Sequence, residues 1–259
     1  LEALCEAVRS QGHDTFALTD TNGLYGAIRF LEVAKRAGLK PILGTEIIQA
    51  QHRAVLLAKS PEGYGNLCRL LSARHEDEPF EFIETLQRYR SGLVILSDDF
   101  QALTAWRAQS GEDLYVELTP GADLQKAVSF SRQNCIPPVA TTRAALLRPT
   151  DFEAHRLLRA IAENTTLSRL RPDCCCAPSH WLMPSSVMAR ALPHVPEALS
   201  NTRRIANQCA TAWDFQTTIF PSFRQMSADG AFETLRTKTY NGAVWRYDVL
   251  SEVIRERIE

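Results

Sequence analysis

The sequence predicts an α/β fold, and three observations predict it. Short apolar strands of about four to six residues alternate with helical stretches of about ten to fifteen, the signature of βαβ units. The strands are apolar on both faces, as a sheet covered on both sides requires. The alternation runs from residue 1 to about 165 of a 259-residue chain, enough to bury a core without disulfide or metal staples.

Leu1, Leu4, Cys5 and Val8 fall at i, i+3, i+4 and i+7 and give one apolar helix face. The chain is therefore expected to start in or at a helix whose preceding strand is missing. Gly12 is placed to close that helix. Phe16 to Thr19 reads as a buried strand and Asp20 to Gly23 as the loop after it. Leu24, Ile28, Leu31 and Ala34 stripe a second helix that Gly38 ends. Lys40 to Gln49 reads as a strand pair and Ala54 to Ala58 as a further strand. Tyr64, Leu67, Leu70 and Leu71 mark a helix, Leu93–Leu96 and Leu114–Leu118 strands, and 122–134 a helix. Residues 138–141 give a strand and 151–162 a helix. Such alternation favours parallel strands.

The pattern changes after about residue 165. Residues 166–196 are rich in proline, contain three adjacent cysteines and show little periodicity, so 166–226 reads as an irregular connector. Residues 227–259 are again helical, with Phe232, Leu235, Val249, Leu250, Val253 and Ile254 as the apolar members.

Apolar content of 45% and charged content of 23% are those of an ordinary globular protein. A formal net charge of −1 argues against a dominant basic face. No apolar run approaches the roughly 20 residues of a membrane span, and no charged-then-apolar leader opens the chain. The seven cysteines, an odd number, read as reduced cytoplasmic thiols rather than a disulfide framework.

Residues 16–46, FALTDTNGLYGAIRFLEVAKRAGLKPILGTE, resemble the PHP (polymerase and histidinol phosphatase) domain of bacterial DNA polymerase III alpha subunits and their error-prone relatives. The likeness continues in HRAVLLAKSPEGYGNLCRLLS (52–72), GLVILSDD (92–99) and PPVATTRAALLRPTDFEAHRLLRAI (137–161). It extends to NTTLSRL (164–170), HWLMP (180–184), LSNTRRIANQCATAWDF (199–215), IFPSF (219–223) and YNGAVWRYDVLSEVIRERIE (240–259). The pieces occur in order over nearly the whole chain.

The resemblance implies a distorted (β/α) PHP barrel over 1–165, incomplete at its N-terminus. A mainly helical connector over 166–226 and the helical start of a polymerase region over 227–259 would follow. It implies a module of a polymerase acting in DNA replication or translesion synthesis, in the cytoplasm. Its partners would be the rest of the alpha subunit and replication proteins such as a proofreading exonuclease subunit or a clamp, with DNA a further candidate. The polymerase site, with its magnesium ions, would lie outside this segment.

Metal-bearing members hold up to three ions at the strand ends to hydrolyse phosphoesters. The matching positions here are altered. Thr21 stands where a His is expected, and a neutral hydroxyl is a poor ligand for zinc or manganese. Asp98-Asp99 replace Gly-Cys, and Arg143-Ala144-Ala145 replace Asp-x-His. Gly44-Thr45-Glu46 and His52 are kept, so Glu46, His52 and Asp99 are the candidates for a vestigial zinc or manganese site. Arg143 is expected to fill vacated space and pair with Glu46 or Asp20, because a guanidinium matches a carboxylate fork. The expectation is a non-catalytic scaffold. The alternative is a metal-dependent phosphoesterase or 3′–5′ exonuclease.

Other features read as structure. Cys174-Cys175-Cys176 lack the Cys-x-x-Cys pairs of a zinc site. His155 reads as a packing or capping residue beside Phe152 and Leu158, and His75 as part of a solvated acidic run with Glu76-Asp77-Glu78. His13, His180 and His194 fall in turn-like or proline-rich surroundings. Gly23 to Gly26 lacks phosphate-loop spacing and reads as a helix entry. Arg203, Arg204, Arg246, Arg255 and Arg257 read as helix-surface charge.

Overall fold

The computed structural model describes all residues except 77–78, 216 and 218–222. Part of the acidic run after His75 and most of IFPSF therefore lie outside the described residues. The chain divides into two compact units, Leu1–Trp213 and Asp214–Glu259.

The first unit opens with α1 (Glu2–Ser10), β1 (Thr15–Thr21), α2 (Ala27–Arg36), β2 (Lys40–Gln49) and β3 (His52–Ala58). Next come α3 (Pro61–Glu76), α4 (Phe82–Arg88), β4 (Leu93–Ser97), α5 (Phe100–Gln109), β5 (Leu114–Leu118), α6 (Leu124–Asn134) and β6 (Pro138–Ala140). It closes with α7 (Phe152–Ala162), α8 (Ser185–Ala191) and α9 (Pro196–Gln208). The second unit holds α10 (Ala228–Tyr247) and α11 (Glu252–Ile258).

One curled six-stranded sheet, in the order β1 to β6, organises the first unit as a half-barrel. The α/β class expected from the sequence is present. The sheet is mixed, however, and not parallel throughout. The pairs β1–β2, β4–β5 and β5–β6 are parallel, whereas β2–β3 and β3–β4 are antiparallel. Lys40–Gln49 is one continuous strand, not a strand pair. Only Ala50 and Gln51 separate it from β3, with Ala50 at φ 50°. A two-residue turn can join only antiparallel neighbours, since a parallel crossover needs a dozen or more residues. This turn brings the first residues of β3 to the same edge as the last residues of the parallel strands.

Side-chain alternation divides the sheet into two faces. On the helix-covered face, Ile47, Ala54, Leu56, Ala58, Ile95 and Val116 pack with Leu67 and Leu70 of α3, Leu86 of α4 and Leu103 and Trp106 of α5. On the concave face, Ile42, Val55, Leu57, Val94, Leu96, Tyr115 and Val139 pack with Ile205 and Cys209 around α9. Each fully buried leucine or isoleucine contributes about 1.5–3 kcal/mol. A third cluster seats α1 and α2 through Cys5, Val8, Phe30, Val33 and Leu39.

The buried face of α2 is Ala27, Phe30, Val33 and Ala34. Ile28, from the stripe expected on sequence grounds, is exposed. Both stripes obey helical spacing, and the approach of β1 and β2 selects between them. Residues beyond 165 stay with the sheet as far as Trp213: Met183, Met188, Leu192, Val195 and Ala198 enter the helix-side core. On α9, Asn201 and Thr202 donate to the carbonyl oxygens of Pro138 and Ala140 (2.8 Å each), occupying acceptors along β6. In the second unit Phe232, Leu235, Val249 and Val253 are exposed. Among the described residues no helix is long and apolar enough to cross a membrane.

Candidate functional site at the strand-end rim

Six strands deliver polar residues to one level of the concave face. Register fixes the row: Thr21 pairs with Glu46 across β1–β2, and Val55 lies beside both Glu46 and Leu96. Two residues further toward the rim, the same face carries Arg53, Asp98, Glu117 and Thr141.

Gly44, in the Gly-Thr-Glu element, allows β2 and β3 to close here. A Cβ at Gly44 would stand 2.5 Å from the Leu56 carbonyl oxygen. Thr45 points to the opposite face, fully buried, and donates to the Asp20 carbonyl oxygen (2.9 Å).

Arg53 is the hub. Its Nε donates to Glu46 Oε1 (2.5 Å), and its Nη1 donates to Glu117 Oε2 and lies 3.5 Å from Asp98 Oδ1. Burial opposes its charge, but the attraction and hydrogen bond of Glu117, with Glu46 and Asp98 beyond, raise its pKa above the ordinary arginine value. Arg143 forks onto Asp98 (3.0 and 3.2 Å), with its Nε 3.6 Å from Glu117 Oε2. Arg143 sits at φ 47°, a left-handed backbone that turns the chain after β6 and aims the guanidinium at Asp98. Thr141 donates to Glu117 Oε1 (2.5 Å) and Thr21 to Glu46 Oε2 (3.0 Å). Glu117, whose side chain is only 2% exposed, thus has both oxygens engaged.

The three nominated metal ligands do not converge. Glu46 belongs to this concave lattice. His52 and Asp99 lie next in sequence to Arg53 and Asp98, so alternation turns them to the helix-covered face. There His52 Nδ1 meets Asp99 Oδ2 (2.5 Å), the imidazole stacks on Phe82 (centroids 5.3 Å apart), and Asp99 Oδ1 accepts from Gln101 N and Ala102 N as the N-cap of α5. Arg143 fills space as expected, but with Asp98 and Glu117 as its partners. Glu46 is taken by Arg53 and Thr21, and Asp20 accepts from Gly26 N (2.6 Å) at the entry to α2.

Two members were not foreseen. Arg53 hides beside His52 in a stretch whose histidine drew attention. Its signal was period-two alternation combined with the tight turn at Ala50-Gln51. His180 enters because residues 180–182 run alongside 145–146: Ala145 N and Leu146 N donate to the His180 carbonyl (2.9 and 3.1 Å). Nothing in its local sequence signals this.

Burial, then the charges of Arg143 and Arg53, depress the His180 pKa below the ordinary imidazole value, against the raising pull of Glu117 and Glu46. A base with a depressed folded pKa binds fewer protons folded than unfolded, so its contribution falls as pH drops through about 6.5 toward the folded pKa. His180→Leu is expected to flatten the stability profile across that window in urea titrations. An unchanged profile would remove His180 from the lattice.

The donor set does not fit a cluster of divalent cations. Two guanidiniums sit among the three carboxylates, and each carboxylate already binds one or both of them. The arrangement ties the six strand ends together through charge-assisted hydrogen bonds, the stronger kind.

A family model for the PHP domain matches residues 1–118. Over those residues the chain is similar to the PHP domain. The error-prone DNA polymerase of Symbiobacterium thermophilum is 27% identical over 303 residues, covering 100% of this chain and 28% of the relative. DNA polymerase III subunit alpha of Pseudomonas aeruginosa is 27% identical over 96% of the chain and 24% of its own length. The subunit from Halalkalibacterium halodurans is 28% identical over 95% and 24%. The chain spans about a quarter of the length of these relatives. A crystal structure assigned as a metal-dependent phosphoesterase from Bifidobacterium adolescentis overlays on 54% of this chain and 80% of its own, with a TM-score of 0.39 and 11% identity. Likeness at that level bears on neither site nor activity.

Proposed function

We propose that this module is a non-catalytic scaffold within a polymerase that acts in DNA replication or translesion synthesis. The observation that carries the reading is the Arg53–Arg143 lattice: Arg143 stands where the resemblance calls for a metal ligand, and Arg53 binds Glu46, a ligand position the chain keeps. Hydrolysis by a PHP centre needs carboxylates and imidazoles free to hold ions that activate water. Here the carboxylates are engaged by fixed positive charge instead. The module's partners on this reading are the remainder of the alpha-type subunit and replication proteins such as a proofreading exonuclease or a clamp, and its setting is the cytoplasm.

The test pairs two assays on the purified chain. Primer extension with magnesium is expected to give no incorporation, because the polymerase carboxylates belong to a region outside the match. Phosphatase and 3′–5′ exonuclease assays with manganese or zinc are expected to give no turnover. Hydrolysis that follows the protein through purification and disappears in Glu46→Gln would overturn the scaffold reading in favour of a phosphoesterase.

A further inference from the structure

We draw no further inference here: the strongest candidate, the solvent-facing apolar stripe of α7 formed by Leu157, Leu158 and Ile161, is an unpartnered helix face, and nothing in the structure shows what covers it.

Discussion

Arg53→Ala is expected to lower the unfolding temperature of the first unit by roughly 6–12 °C. Removing one partner from a buried pair costs about 3 kcal/mol or more, because the other charge is left without compensation, and a domain of this size shifts by about 2–4 °C per kcal/mol. Glu117 is the exposed nerve of that variant: its side chain is 2% accessible, and it would keep only Thr141 and a distant Arg143 Nε. The companion variant Arg53→Met with Glu117→Gln removes both charges while keeping an acceptor for Thr141. It is expected to recover more than half of the loss, since buried ion pairs exchange for neutral groups at little net cost. Differential scanning calorimetry of the three proteins decides the matter. Equal losses in the single and double variants would mean that Arg53 acts through packing of its stem, not through charge.

Trp106→Ala is expected to cost about 3–5 kcal/mol, the range for a large aromatic removed from a core. Trp106 is fully buried, and its indole Nε1 donates to the Ile83 carbonyl (3.0 Å), tying α5 to α4. Its ring lies 5.7 Å from Phe82, on which His52 stacks. The loss therefore reaches the strand ends: without Trp106, Phe82 can shift and the His52–Asp99 contact loses its platform. Urea unfolding gives the magnitude, and the imidazole proton resonances of His52 report the second effect. Full stability with an unchanged His52 signal would show that α4 and α5 repack without the indole. Trp106→Phe is expected to restore part of the stability and leave the Ile83 carbonyl without its donor.

The α/β class was legible because apolar strands and amphipathic helices differ in period, and that difference survives without knowledge of partners. Strand direction was less legible. The turn at Ala50-Gln51 lacks glycine, so it carried no hairpin signal, and β2 and β3 were not seen as an antiparallel pair. That omission spread to the site. With β2 and β3 paired at a tight turn, alternation turns Glu46 and Arg53 inward and His52 outward. Read instead through residues that favour metals, His52 and Asp99 drew attention that belonged to Arg53 and Asp98. The altered Thr21 and Arg143 positions were legible from the resemblance, and both side chains do join the row. The partner of Arg143 was not, because Glu117 sits in the apolar-looking strand Leu114–Leu118 and shows itself as polar only once neighbouring strands place a guanidinium against it. His180 depends on a long-range pairing that no local pattern contains.

On the scaffold reading, guanidinium groups and not metal ions hold the strand ends of the sheet together. The most direct measurement is the unfolding temperature of one preparation after exhaustive chelation and after adding manganese or zinc, with metal content determined on the same samples. A cation bound to the folded state alone would add about 2.7 kcal/mol at a hundredfold excess over its dissociation constant. The lattice predicts no tightly held metal and an unfolding temperature that agrees within about 1 °C across the three conditions. Two or more ions retained per chain, with an unfolding temperature that falls on chelation and returns on metal addition, would contradict it.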